Sequence, residues 1–184
     1  NTGEADAMVT GHSRSYPSTI KPVMQLIGKA PGVSKIATTN MMMTTRGPVF
    51  LSDTAINPNP TAQELARIAL MTAKTVRMFG MEPVIAMVSF SNFGSSQSEG
   101  PNKVREAVAY LHENFPDLIV DGEIQSDFAL NPELLKSKFP FSKLVNKKVN
   151  TLIFPNLDAA NITYKLLKEL NKADSIGPII LGLD

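Results

Sequence analysis

Nearly all-apolar runs alternate with amphipathic, helix-like segments along this chain of 184 residues, and this alternation restricts the possible folds more than any other feature. The run Val84 to Phe90 (VIAMVSF) is the clearest case. Such a continuously apolar strand is typical of a parallel sheet that is buried on both faces. Strand and helix alternate with a period of roughly 30 residues, as in βαβ units. The pattern predicts an α/β fold with a mixed, mostly parallel sheet and helices on both faces.

The predicted sheet is mixed because an antiparallel hairpin stands near its start. Lys35 to Thr44 and Pro48 to Ser52 are extended runs, and a short Gly-containing turn separates them. Before the hairpin we expect a buried strand at Ala5 to Thr10. A helix that Ser18 or Thr19 would cap is expected to follow that strand.

Capping signals mark the next helix. Thr61 and Glu64 have the spacing of a capping box, and Gly80 is placed to end the helix. The remaining predicted elements are helices over 101–115, from 132 and over 158–170, and strands from 118, over 149–154 and over 176–183.

Composition excludes several classes of function. Lys and Arg total 18 against 17 Asp and Glu, so net charge gives no reason to expect nucleic acid or an anionic membrane as a partner. The absence of cysteine excludes a disulfide framework, a thiolate zinc site and a cysteine nucleophile. No apolar run reaches the roughly 18 residues of a membrane span, and no signal peptide is recognised. The glycine-rich loops of dinucleotide binders and P-loop NTPases are absent. We therefore expect a cytoplasmic protein with neither a nucleic-acid nor a membrane partner.

Acidic and histidine residues give weak signals for catalysis or metal binding. Asp121, Glu123 and Asp127 follow a predicted strand, where carboxylates could do acid–base work or hold a hard metal ion. Loop capping and turn chemistry are the favoured explanation. His12 lacks a second group at metal-ligand spacing, and His112 is predicted to be a surface or satisfied residue in a helix. The sequence thus predicts no metal site.

A first candidate binding segment runs from Gly11 to a helix start. Ser13, Arg14, Thr19 and Lys21 combine hydroxyl groups and cations with the free amides that begin a helix. Such a combination suits an anion. Ordinary helix capping explains the same residues equally well, and both interpretations stay open.

A second candidate segment, SFSNFG, follows the apolar run that starts at Val84. Ser89, Ser91 and Asn92 would stand at the carboxyl edge of the sheet, where α/β folds bind ligands. The lysines between residues 136 and 148 are a third candidate, which a solvated surface explains well. A phosphate-bearing acyl carrier would suit such segments together, although the residues alone do not select the ligand.

Several motifs, in order over essentially the whole chain, resemble those of the phosphate acetyltransferases. Asp53 to Ala62 (DTAINPNPTA) closely resembles the family segment D-x-A-(V/I)-N-P-N-P-T-A. Lys29 to Ser34 (KAPGVS) is similar to K-T-A-P-G-V-S. Ile153 to Leu157 and Gly177-Pro178 resemble further landmarks of the family.

A narrower resemblance is to the phosphotransacetylase-like domain appended to large bacterial malic enzymes. It rests on the segments GHSRSY, SFSNFG, GEIQSDFALNP, FPFSKL and the terminal GLD. Stand-alone transacetylases usually have a Y-S-T-G-D-S-G-type stretch where this chain has SFSNFGSS. Asn57 to Pro60, in contrast, is closer to the transacetylases.

The resemblance implies a fold similar to isocitrate and isopropylmalate dehydrogenases, with two domains flanking a cleft for acetyl-CoA or acetyl phosphate. Residues 1–33 would end the first subdomain, and residues 34–184 would form the second, which dimerises in the family. The residues implied to bind acetyl-CoA or phosphate are Ser13, Arg14, Thr19, Lys21, Ser89, Ser91 and Asn92. Lys21 stands where the family's T-I-R-P-type motif has a phosphate-binding Arg, so the charge is kept and the bidentate fork is lost.

The functional implication is regulation rather than catalysis. No position here matches the family's catalytic Ser-Arg pair and Asp, so no catalytic residue is expected in this chain. The resemblance implies a regulatory, oligomerising domain that binds acetyl-CoA and no cofactor of its own. NADP and a divalent metal, Mg or Mn, would be bound by upstream domains of a malic enzyme that converts malate to pyruvate and CO2. The alternatives are a phosphate acetyltransferase and a structural module with a vacant cleft.

Overall fold

The structure is a computed structural model that describes residues 8–10 and 16–183. It divides into two compact units, one formed by residues 37–181 and the other by residues 1–36 with 182–184. This division falls close to the predicted boundary between residues 33 and 34. The assignment of the units to two transacetylase-like subdomains stays a prediction.

Six helices and six strands are found in the described part of the chain. They follow one another as α1 (Tyr16–Leu26), β1 (Ala37–Thr44), β2 (Gly47–Ser52), α2 (Ala62–Met78), β3 (Val84–Val88), α3 (Glu99–Asn114), β4 (Ile119–Ile124), α4 (Ser126–Leu130), α5 (Pro132–Lys138), β5 (Thr151–Ile153), α6 (Leu157–Asn171) and β6 (Ser175–Leu181).

The strands of the larger unit form one six-stranded sheet in the order β4-β3-β5-β2-β1-β6. β2, β5, β3 and β4 pair in parallel, whereas β1 is antiparallel to both of its neighbours, β2 and β6. Only β1 therefore runs against the other strands. The prediction of a mixed, mostly parallel sheet is confirmed.

Helices cover both faces of this sheet, as predicted. On one face, α2 and α3 contribute buried residues such as Leu65 and Leu111 to a cluster with Ile85 of β3. On the other, Ala129 of α4 and Leu135 of α5 belong to a second cluster that also includes residues of α6. β3 is buried along its whole length because it lies between these two layers.

Local signals located several elements correctly. The hairpin forms, with Thr44 paired to Gly47 at its turn. The capping box is present: Thr61 Oγ1 accepts from the Glu64 amide at 3.3 Å, and Glu64 Oε2 accepts from the Thr61 amide at 2.9 Å. Gly80 follows the helix at φ +73°, a left-handed conformation that glycine adopts without a steric penalty.

Other predictions at the start of the chain are wrong where the structure describes it. Residues 8–10 are not in a strand, and the side chain of Val9 is 99% exposed. α1 already includes Tyr16, so Ser18 and Thr19 lie inside the helix instead of capping it. The rest of the predicted first strand and of the segment 11–15 lies outside the described residues.

The acids after residue 120 are also placed differently from the prediction. Asp121 and Glu123 are buried within β4, which continues to Ile124, rather than in a loop at a strand end. Both carboxylates accept hydrogen bonds from residues outside the strand, Asp121 through Oδ2 and Glu123 through Oε1. Asp121 accepts from the Ser142 hydroxyl and the Lys143 amide, each at 2.8 Å. Asp127 lies in the first turn of α4, a helix that the sequence analysis did not predict.

Candidate functional site

Three helices of the larger unit begin at one edge of its sheet. β3, β5 and β2 are parallel neighbours, and α3, α6 and α2 respectively follow them in the chain. The carboxyl ends of these strands meet at the same edge. The N-termini of the three helices, each with a partial positive charge, therefore stand there together.

A pocket of about 230 Å³ opens at this edge. The three strand-to-helix connections and the start of α3 line it: Asn59 after β2, Pro155 and Asn156 after β5, Ser89 and Phe90 after β3, and Glu99, Gly100, Pro101 and Lys103 of α3. Hydroxyl, amide and ammonium donors face this pocket beside an exposed aromatic ring. The lining suits a polar ligand with negative charge.

Lys103 links the start of α3 to the loops that follow β2 and β5. Its Nζ donates to Asn59 Oδ1 at 2.6 Å and to the Pro155 carbonyl oxygen at 3.0 Å. Burial lowers the pKa of the Lys103 ammonium, and the Glu99 and Glu64 carboxylates oppose that shift. The pocket thus contains a partly desolvated cation held by two neutral oxygen atoms.

The three helix starts differ in how they are capped. Thr61 caps α2, and Asn156 caps α6 by accepting from the Ala159 amide at 2.9 Å. Ser98, the N-cap residue of α3, makes no side-chain capping hydrogen bond to any described residue. The first turn of α3, Glu99 and Gly100, is also the one that lines the pocket. Its amides have no acceptor within the helix and no capping side chain.

A buried carboxylate shapes the loop between β3 and α3. Glu123 Oε1 accepts from Ser91 Oγ at 2.8 Å, from the Gly94 amide at 2.9 Å and from Arg105 Nη1 at 3.0 Å. Arg105 also donates to the Ser96 carbonyl oxygen at 3.1 Å. Within the described residues, Glu123 Oε2 is buried and has no hydrogen-bond partner. One carboxylate oxygen therefore holds the loop against β4 and α3.

A second set of contacts ties the same loop to the end of β4. Asn92 Nδ2 donates to Gln125 Oε1 at 2.7 Å, and the Gln125 amide donates to Asn92 Oδ1 at 2.8 Å. Gln125 Nε2 donates to the Phe90 carbonyl oxygen at 2.7 Å. Phe90 lines the pocket and is 68% exposed, although sequence analysis placed it in a buried strand.

The predicted site residues separate into several groups. Ser89 lines the pocket, whereas Ser91 and Asn92 make the loop contacts described above. Thr19 and Lys21 lie on α1 in the smaller unit, where Lys21 is exposed. Thr19 Oγ1 is buried with no partner among the described residues. Ser13 and Arg14 lie outside the described residues.

Sequence reasoning missed Lys103, Asn59 and Asn156 as pocket residues. Asn59 and Asn156 belong to NPNP and FPN segments that stand out in the sequence, and each precedes a helix that follows a strand. That position was the available signal for the two asparagines. Lys103 gave none, because its contacts span 44 and 52 residues of chain.

The described part of the chain contains no arrangement of side chains suited to binding a metal ion. No group of three or more His, Asp or Glu there could hold a metal ion. His112 Nε2 lies 2.8 Å from the Val120 carbonyl oxygen, which confirms it as a satisfied residue. No helix among the described residues is both long and apolar enough to cross a membrane.

Fold and site together define an α/β domain with a polar pocket at the carboxyl ends of parallel strands. The chain belongs to the phosphate acetyl/butaryl transferase family, whose model matches residues 1–184. It is a phosphotransacetylase-like domain of the kind found both in bacterial malic enzymes and in phosphate acetyltransferases.

The chain is similar to individual proteins of both kinds, malic enzymes and phosphate acetyltransferases. The chain is 42% identical to the NADP-dependent malic enzyme of Haemophilus influenzae over 182 residues, which cover 99% of this chain and 24% of that protein. It is 38% identical to the phosphate acetyltransferase of Bacillus subtilis, over 99% of this chain and 56% of that protein. A phosphotransacetylase structure from Streptococcus pyogenes superposes with a TM-score of 0.87 at 41% identity, covering 95% of this chain and 53% of that one. The chain thus spans about a quarter of the malic enzyme and about half of the transacetylases.

Proposed function

We propose that this chain is an acetyl-CoA-binding, regulatory and oligomerising domain of a malic enzyme that converts malate to pyruvate and CO2. The pocket at the carboxyl ends of β3, β5 and β2 is the observation that carries the proposal. Its hydroxyl, amide and ammonium donors suit the phosphates of such a carrier, and the exposed Phe90 ring suits an apolar or aromatic part. The similarity to malic enzymes from several bacteria supports the parent activity.

The remaining binding residues and cofactors follow from the same proposal. Ser13, Arg14, Thr19 and Lys21 stay proposed acetyl-CoA- or phosphate-binding residues on the strength of the family resemblance, which also implies a dehydrogenase-like fold. NADP and Mg or Mn would be bound by upstream domains and not by this chain. Removal of both charges, in Arg14→Gln/Lys21→Gln, should weaken acetyl-CoA binding. An unchanged affinity would contradict the role of these two residues.

Oligomerisation through residues 34–184 is the second part of the proposal. Ile162, Leu166 and Leu170 form an apolar stripe on α6, with exposures of 57%, 52% and 78%. Three such side chains at intervals of four residues lie on one helix face, which suits a second copy of the chain. Leu166→Glu/Leu170→Glu should shift the sedimentation coefficient to that of a smaller species. Lys165→Glu is the matched control on the same helix.

A phosphate acetyltransferase activity is the alternative, and the similarity to the Bacillus and Streptococcus proteins favours it as strongly. Coupled assays of the intact parent protein separate the two. Malate with NADP should give NADPH, and acetyl-CoA should change that rate, while acetyl phosphate with CoA should give no acetyl-CoA. Acetyl-CoA formation would favour the transferase. No heat with acetyl-CoA at millimolar concentration would favour a structural module with a vacant cleft.

A further inference from the structure

Lys103 places a primary amine in the wall of the pocket. Its side chain is half-buried near the start of α3, and Nζ lies 2.6 Å from Asn59 Oδ1 and 3.0 Å from the Pro155 carbonyl oxygen. A protonated lysine is only a cation, whereas a lysine that has released a proton is a nucleophile. Two features of the described residues favour that release.

The first feature is the hydrogen bonding of Nζ. An ammonium has three N–H groups, whereas a neutral amine has two and a lone pair. Asn59 Oδ1 and the Pro155 carbonyl oxygen accept two N–H groups, and no other described residue accepts the third. Loss of the third proton therefore breaks no hydrogen bond within the described protein. The lone pair then occupies the remaining tetrahedral position of Nζ, and both N–H groups keep their acceptors.

The second feature is desolvation. Burial lowers the pKa of the Lys103 ammonium, and this effect outweighs the Glu99 and Glu64 carboxylates, which act in the opposite direction. The two atoms that accept hydrogen bonds from Nζ are both neutral, so neither forms an ion pair that would hold the proton. Partly desolvated lysines of this kind are the ones that proteins use as nucleophiles.

The pocket has room for an electrophile beside this amine. Drug-sized ligands occupy pockets of about 300–1,000 Å³, so the volume of about 230 Å³ suits a smaller group, such as the acyl end of a thioester or an acetyl phosphate. The Ser89 hydroxyl lines the same pocket and can donate to a carbonyl oxygen. The presence of an acetyl donor here rests on the proposed function and its transferase alternative, whereas the state of Lys103 rests on the contacts above.

We propose that Lys103 is a covalent acetylation site, at which an activated acetyl donor bound in the pocket transfers its acetyl group to Nζ. The ammonium first releases one proton to solvent. The Nζ lone pair then attacks the carbonyl carbon and forms the N–C bond. The bond from that carbon to the sulfur of acetyl-CoA, or to the bridging oxygen of acetyl phosphate, breaks and leaves its electron pair on that atom. A second proton from Nζ neutralises the leaving group, so the products are acetyl-lysine, one proton, and coenzyme A or orthophosphate.

Acetylation would also change the pocket. It converts Lys103 from a cation with three N–H donors into a neutral amide with one. At most one of the bonds to Asn59 and Pro155 then remains, so the link from α3 to the loops after β2 and β5 weakens. A reversibly bound donor alters the pocket only while it is present, whereas this modification persists after the donor has left.

Peptide mass spectrometry of the intact protein, incubated with acetyl-CoA or with acetyl phosphate, tests the proposal. Lys103 should be acetylated at least about tenfold faster than Lys74 on the exposed face of α2, because a bound donor is held next to the amine. The rate at Lys103 should saturate with donor concentration, whereas the rate at Lys74 should rise in proportion to it. Equal rates at the two lysines, or a Lys103 rate that does not saturate, would overturn the proposal.

Asn59→Asp tests the nucleophilic state of Lys103 with a nearly isosteric change. The new carboxylate would stand against Nζ and hold its proton, so acetylation of Lys103 should slow by about tenfold. Asn146→Asp adds the same charge in an exposed turn before β5, at the opposite edge of the sheet, and should leave the rate unchanged. An unaltered Lys103 rate in Asn59→Asp would contradict the proposal.

The two donors identify themselves in the same experiment, since labelling of Lys103 by only one of them names the source of the acetyl group. Calorimetry with acetyl-CoA separates this inference from the proposed function. If acetyl-CoA binds but neither donor labels Lys103 faster than Lys74, this inference alone is rejected. If acetyl-CoA does not bind but acetyl phosphate labels Lys103 selectively, the proposed function alone is rejected.

Discussion

Of the loops at the carboxyl edge of the sheet, those after β2 and after β3 are each organised by a buried carboxylate, but in different ways. After β2, both oxygens of Asp53 are fully used. Oδ1 accepts from the Thr38 amide at 3.0 Å and the Ala55 amide at 3.2 Å, and Oδ2 accepts from the Asn57 amide at 2.8 Å. Thr38 and Asn57 add side-chain donors. Every one of these donors is neutral, and most are backbone amides.

The loop after β3 relies on Glu123, whose bonding is one-sided. Oε1 accepts three hydrogen bonds, one of them from the cation Arg105, while Oε2 has no partner among the described residues. The Arg105 side chain is 28% exposed, so solvent reaches the cationic partner. The Asp53 loop is thus fixed by saturated local bonding, and the Glu123 loop retains an unused acceptor and a partly hydrated cation. The difference indicates that Asn59 stands on a rigid wall of the pocket and Ser89 on an adjustable one.

Asp53→Ala should cause the largest loss in the free energy of unfolding, and it tests whether Asp53 fixes the loop after β2. The substitution leaves several buried donors without an acceptor, and we expect a loss of about 4 kcal/mol in the free energy of unfolding, measured in urea. Asp53→Asn, which keeps one oxygen acceptor, should lose less. A loss below about 1 kcal/mol for the alanine variant would show that water replaces the carboxylate.

Arg105→Met should cost about 2 kcal/mol, because it leaves the buried Glu123 carboxylate without its cation. Glu123→Gln in the same protein should recover part of that loss, since the charge that needed a partner is gone. Urea unfolding of both single variants and the double variant gives the coupling energy of the pair. Additive losses would mean that the ion pair does not organise this loop.

The N-cap residues of α2 and α3, which follow the same two loops, should differ in how much they stabilise the fold, although by less than the buried carboxylates do. Thr61→Ala should cost about 1 kcal/mol, because it removes a side-chain cap from α2. Ser98→Ala should change stability by less than about 0.5 kcal/mol, because Ser98 makes no capping bond among the described residues. Thermal unfolding of the two variants checks this order, and equal losses would refute it.

The smallest expected effect is a pH dependence from Lys103. Burial lowers its pKa in the folded protein below the ordinary value of 10.5, so the folded state releases this proton before the unfolded state does. The contribution of Lys103 to the free energy of unfolding therefore rises with pH through the alkaline range up to about 10.5. It is least at lower pH, where Lys103 is protonated in both the folded and the unfolded protein. The melting temperature of wild type relative to Lys103→Met should rise between pH 8 and about 10.5. A flat difference would contradict the direction of the shift.

Short-range patterns made much of the fold predictable. The all-apolar composition of β3 and the Thr61–Glu64 spacing each encode a local structure, so strand, helix start and layer order followed from sequence. Glu123 and Lys103 could not be predicted in the same way, because their roles depend on partners far along the chain. From the segment GEIQ alone, Glu123 is interpreted as a turn residue. Only the structure shows that Ser91 and Arg105 donate hydrogen bonds to its carboxylate.

The strand order also has a consequence for synthesis. β5 lies between β3 and β2, and β6 covers the outer edge of β1, yet both are synthesised after β1, β2, β3 and β4. Until they emerge from the ribosome, β1–β2 and β3–β4 can exist only as two separate strand pairs with open edges. Unpaired edges of this kind invite association with other chains. The nascent polypeptide would therefore gain most from chaperone shielding while residues 151–181 are still being added.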